Sequence, residues 1–116
     1  MGKHPTPMNA AMLDAVAGQF RALSEPARLS LLQRLLEGER SVGELVEASG
    51  LSQANVSKHL TTLTIAGFLV RRKDGTSVIY ALADEVVPQL CDLMCKRVAA
   101  KARDGARALD SRTRAG

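Results

Sequence analysis

The stretch QLCDLMCK, from Gln89 to Lys96, holds both cysteines of the chain, Cys91 and Cys95, four residues apart. On a helix, positions i and i+4 share one face with Cβ atoms about 5–6 Å apart. A disulfide needs about 3.5–4.5 Å, so closing one would strain or unwind a turn. A thiolate-bound soft ion asks for less: with metal–sulfur distances of about 2.3 Å, the sulfurs need approach only to about 4 Å. A longer polysulfide bridge also fits. The same pair also reads as packing. Val87, Cys91, Cys95, Val98 and Ala102 form one stripe, free Cys is a small hydrophobe, and neither cysteine has Lys or Arg at i±3 or i±4 to lower its thiol pKa.

A second group of chemically useful side chains lies mid-chain, in SQANVSKHLTTLTIA and in the Arg71, Arg72, Lys73 cluster that follows. The net charge is +4, unevenly placed: residues 1–50 carry five Lys/Arg against six Asp/Glu, residues 51–83 four against one, and residues 84–116 seven against five. A basic middle third suggests nucleic acid or another anionic partner, or a merely solvated surface. The two histidines, His4 and His59, are far apart in sequence. With Cys-x-x-x-Cys spacing in place of Cys-x-x-Cys and no nearby His base, an enzyme such as a thiol oxidoreductase is disfavoured, and no catalytic residue is assigned.

The scaffold that must position these groups is small. The 116 residues fit one domain, 46% apolar but only 3% aromatic, so its core is built from Leu, Val, Ala and Ile, a composition that favours helices. No apolar run approaches the roughly 18 residues of a membrane span and the N-terminus lacks a signal-peptide pattern. The expectation is a cytoplasmic protein with no membrane partner and reduced thiols. MGKHPT fits the loose myristoylation pattern, with Pro5 against it. Residues 1–7 and 104–116, rich in Pro, Gly and charge, read as disordered tails, the second basic, around a domain of residues 8–103.

Within that domain, Met8, Ala11, Met12, Ala15, Val16, Phe20 and Leu23 recur at helical steps in a first helix. Ser24 and Pro26 start a second, which buries Leu29, Leu32, Leu35 and Leu36 and ends at Gly38. Ser41 and Glu44 have the spacing of a capping box for a short third helix closed by Gly50. Ser52 caps a fourth, closed by Gly67. The period then falls to about 2: Phe68–Arg72 and Ser77–Leu82 flank Asp74-Gly75, a hairpin signal. A last helix, capped by Asp84 or starting at Pro88, runs to about Ala102.

This order, α1-α2-α3-α4-β1-β2-α5, predicts a mainly α winged helix-turn-helix with a two-stranded hairpin wing. A helix entering the major groove needs an apolar anchor on one face and short polar or basic side chains on the other. Val56, Leu60 and Leu63 are the expected anchor; Ala54, Ser57, Lys58 and Thr61 lie opposite, with Gln53 and Asn55 in the exposed first turn. His59 falls at the border, either as a packed, hydrogen-bonded histidine or as a DNA contact. Arg71, Arg72 and Lys73 would lay cations along the DNA backbone or into the minor groove, or serve only as edge-strand charge against aggregation.

The segments LSEPARLSLLQRL, LSQANVSKHLTTLTIAGFLVRR and the DG wing followed by YAL resemble the ArsR/SmtB family of bacterial winged-helix repressors, from about Ala15 to Ala99. The resemblance implies a homodimer joined through the first and last helices, bound to a palindromic double-stranded DNA operator and released by an effector. The family's arsenic site needs Cys-x-Cys in the third helix, where this chain has ELVEASG; its zinc site needs Asp-x-His and His-x-x-His/Glu in the last helix, where DEV and RVAA stand. Cys91 and Cys95 remain, in a helix that some members use for thiol sensing. The effector classes this admits are trivalent arsenic or antimony, a soft divalent metal ion, or reactive sulfur. A two-fold dimer would bring four thiols together. Two alternatives stay open: a winged-helix repressor whose cysteines only pack, and a protein-interaction module, against which the polar face of Ser57, Lys58 and Thr61 speaks.

Overall fold

The structure, a computed structural model, describes residues 7–115, with side chains described for residues 7–107. The expected tail at residues 1–7 therefore lies, apart from Pro7, outside the described residues. Contacts divide the chain into two units, Met1–Ala83 and Asp84–Gly116.

In the first unit, α1 spans Ala10–Leu23, two residues later than the expected start at Met8, because Asn9 Oδ1 accepts the Met12 N–H at 2.8 Å and caps the helix. Ser24, expected to cap the second helix, instead closes the first, with its N–H and its hydroxyl both donating to the Arg21 carbonyl. Helix α2, Pro26–Leu35, starts without a side-chain cap, its proline occupying the first turn where a missing N–H costs nothing. It buries Leu31, Leu32 and Leu35, while Leu29 is 44% exposed. The observed stripe is thus rotated from the expected one by part of a turn. With leucines at 29, 31, 32, 35 and 36, the pattern covers more than one face and does not itself choose the core side.

Helix α3, Val42–Ser49, carries the complete capping box: Glu44 N–H donates to Ser41 Oγ at 3.1 Å, and Ser41 N–H to Glu44 Oε1 at 2.8 Å. The Ser41 backbone N–H and then its hydroxyl hold the Glu44 carboxyl below the usual carboxylate range. Gly50, at φ +72°, takes the left-handed turn into α4, Gln53–Ile65, which Ser52 caps through the Asn55 N–H. Helix α4 ends in a Schellman motif, with Phe68 N–H donating to Leu63 O and Gly67 N–H to Thr64 O, both at 3.0 Å, and Gly67 at φ +89°.

The wing strands pair from Leu69↔Leu82 to Asp74↔Ser77, so the turn is Gly75-Thr76 and Asp74 belongs to a strand. One further strand goes beyond the expected hairpin. Arg40–Ser41 forms β1 and pairs antiparallel with Ser77–Leu82, here β3, while Leu69–Asp74 is β2; the sheet order is β1-β3-β2. Two residues, the second of them the N-cap of α3, carry no period-2 pattern to announce a strand. The buried core of this unit joins Leu31, Leu32, Leu35, Leu45, Val56, Leu60, Leu63, Phe68, Leu69 and Tyr80. On α1 only Ala22 is buried, and Met12, Leu13 and Phe20 stay exposed in the protomer.

The second unit is α5, Val86–Ala115, with Asp84 Oδ1 accepting the Val86 N–H at 3.0 Å and Gln89 N–H donating to Glu85 O. Pro88 sits within the first turn, where it breaks no helical bond. The helix extends beyond the end expected near Ala102, into residues whose composition suggests a tail. Gly105 is the only glycine between Ala99 and Ala108, set among alanines and arginines that favour helix, and no proline follows Pro88. No helix among the described residues is long and apolar enough to cross a membrane.

Candidate nucleic-acid interface

Val56, Leu60 and Leu63 of α4 are completely buried, as their spacing requires. That sets which face of the helix turns inward and leaves Gln53, Ala54, Asn55, Lys58 and Thr61 outside the core, with Ser57 on the same side. The capped N-terminus of α4 follows the glycine turn directly, so its first-turn side chains are open to solvent.

Strand alternation sorts the three wing cations, which the sequence groups together. Leu69 is buried, so Arg71 and Lys73 share its face of β2, and Val70, Arg72 and Asp74 take the other. Arg71 lines a concave groove together with Gln53, Ser57 and Thr61 of α4. Arg72 is turned elsewhere: its Nη2 donates to Glu39 Oε1 at 2.6 Å, and its Nη1 lies 3.9 Å from Asp74. The groove has further walls that sequence reasoning misses, from Ser41, Val42 and Gly43 at the start of α3 and from Thr76 and Ser77 at the wing tip. A small polar turn is the only signal that could have pointed to the last two.

His59 is not brought into this groove. Its Nδ1 lies 3.3 Å from Arg28 Nη1 and 3.7 Å from Glu25 Oε2, and its side chain is 14% exposed. Of the two readings, the packed and hydrogen-bonded histidine is the one this placement supports, because contacts from Arg28 and Glu25 occupy the ring's Nδ1 edge.

In α5, Cys95 is exposed and Cys91 half-buried, and both thiols are free. Burial, and then the charge of neighbouring Cys95, raise the Cys91 pKa, so this thiol stays protonated to higher pH than an ordinary cysteine. Lys96, beside Cys95 in sequence, is engaged with Asp92 at 2.9 Å. Among the described residues, no three His, Cys, Asp or Glu side chains cluster as a metal site, so one protomer offers a soft ion two thiols.

A capped recognition-type helix, the glycine turn before it and a hairpin carrying a cation into the same groove define a winged helix-turn-helix DNA-binding module. Residues 25–70 match the model of the bacterial regulatory protein, arsR family. A Streptomyces lividans protein named "Probable mercury resistance operon repressor" is 44% identical over 101 residues, covering 87% of this chain and 78% of that one. Among solved structures, Rv0081 of Mycobacterium tuberculosis superposes with a TM-score of 0.78 at 33% identity, covering 84% of this chain and 99% of its own. A homodimeric winged helix-turn-helix DNA-binding domain from Mycobacterium bovis gives 0.70 at 34% identity, covering 87% and 91%. The chain belongs to the ArsR/SmtB family of transcriptional repressors, and is a regulator rather than an enzyme.

Proposed function

We propose that the protein binds a palindromic operator as a homodimer, with Gln53, Asn55, Ser57, Lys58 and Thr61 in the major groove and Arg71, with Lys73 on the same strand face, against the phosphate backbone. The observation that carries this is the groove in which Arg71 meets the free polar face of α4. Each phosphate neutralised contributes about 0.9 to the slope of log affinity against log salt. Arg71→Gln therefore lowers that slope by about 0.9 per protomer, whereas Arg72→Gln leaves it nearly unchanged, because Arg72 already faces Glu39. Equal slopes for the two variants in fluorescence-anisotropy titrations would sink the assignment.

Release from DNA is assigned to a thiol-reactive effector at Cys91 and Cys95. The exposure of Cys95, the helical pairing of the two thiols and the similarity to a repressor named for mercury resistance together support a soft, thiophilic ion. Ligand thiols must lose their protons, so the raised Cys91 pKa makes capture at that position slower at low pH and faster as pH rises toward the thiol's own range. Titration of the protein–operator complex with mercuric ion, arsenite, polysulfide and peroxide, repeated with Cys91→Ser and Cys95→Ser, reads this directly. One compound is expected to release the wild type and neither variant. Release that survives both substitutions would return the pair to the packing role.

A further inference from the structure

Among the described residues, Arg28 is the most heavily engaged side chain outside the groove. Its Nε donates to the Ala22 carbonyl at 2.6 Å, its Nη2 to the Arg21 carbonyl at 3.2 Å and its Nη1 to Glu25 Oε2 at 2.8 Å. Arg21 and Ala22 lie in the last turn of α1, Glu25 precedes α2, and His59 on α4 completes the set at 3.3 Å from Nη1. The Arg28 side chain is only 13% exposed, so one guanidinium links three helices inside the first unit.

A guanidinium only donates. In a hydrogen bond between the two, the Nδ1 of His59 accepts. We infer that Arg28 and His59 are a positioning pair: the hydrogen bond at Nδ1 sets the roll of α4 against the α1–α2 corner, and His59 governs operator affinity without touching DNA. The three fully buried anchors of α4 are aliphatic, so their burial favours an inward face without prescribing an angle. A hydrogen bond adds the angle, and a displacement of about 1 Å is enough to misalign side chains with base edges. The bond also ties α4 to the last carbonyls of α1, so a movement of α1 reaches the recognition helix through one side chain.

This inference rests on the operator-binding reading above, and side-chain chemistry separates the two. Asn places its amide oxygen where His carries Nδ1; Gln places its amide where His carries Nε2. An operator duplex selected from random-sequence DNA by the wild-type chain is titrated with His59→Asn and His59→Gln, each shown folded by far-UV circular dichroism. His59→Asn is expected to bind within about threefold of wild type and His59→Gln at least about tenfold more weakly, with the salt slope unchanged in both. Arg28→Lys, which keeps the charge but not the fork, is expected to match His59→Gln, and the double variant to be no worse than either single one. Any other ranking of Asn and Gln, or a reduced salt slope, overturns the positioning pair. Failure of the wild type to select any sequence overturns the operator reading and this inference with it.

Discussion

Ser57→Glu is expected to weaken operator binding at least about a hundredfold while leaving the fold intact. Ser57 is half-buried in the groove beside Gln53, Thr61 and Arg71. On the proposed binding mode a carboxylate there enters the major groove, between two phosphate backbones, and like-charge juxtaposition at an interface costs several kcal/mol. Every 1.4 kcal/mol or so is a factor of about ten in affinity. The new carboxylate also has Arg71 as a neighbour, and pairing with it would remove the cation that the wing contributes. The salt slope should therefore fall together with the affinity. Helix α4 keeps its Ser52 cap, its three buried anchors and its Schellman terminus, so the urea midpoint should move little. Anisotropy titration against the operator checks the first effect and urea unfolding the second. Binding within about threefold of wild type would remove Ser57 from the contact set.

The largest stability effect is expected at Leu60. It lies in the middle of the anchor face of α4 and is completely buried, with Val56 one turn before it and Leu63 one turn after. Leu60→Ala removes three carbons from a packed site that cannot fully collapse, at a cost of about 2–5 kcal/mol. Set against the roughly 5–15 kcal/mol that holds a small domain together, this is a large share. It should lower the urea midpoint by about 1 M or more, measured at one fixed protein concentration because association shifts apparent stability. Ile65→Ala, five residues along the same helix at a site 82% exposed, is the contrast: its cost should stay below about 0.5 kcal/mol. Similar losses at the two sites would show that the buried face of α4 has been misassigned.

The elements with explicit end signals are legible in the residues themselves. Ser41 with Glu44, Gly50, Ser52 and Gly67 each announce a helix boundary, and each does the expected job, because caps and left-handed turns are short-range chemistry. Period-2 apolar runs around a glycine likewise place the wing to within a residue or two, and spacing alone identifies Val56, Leu60 and Leu63 as the anchor. Where signals compete, the residues are silent or misleading. Ser24 suits the end of one helix as well as the start of the next, and five leucines in and just after α2 satisfy more than one helical face.

What the sequence alone determined is therefore the list of parts: the helices, a turn, a wing, a basic middle third and one pair of thiols. Only the tertiary structure decided which charged groups are free. Arg71 and Arg72 are adjacent and chemically identical, yet strand pleating sends one into the groove with α4 and the other to Glu39. His59 stands among groove residues in the chain, yet its ring meets Arg28 and Glu25, which precede it by some thirty positions. Both outcomes turn on contacts between residues far apart in sequence. Local propensity and periodicity carry no information about such contacts, since they report what a segment does by itself and not which partner it meets.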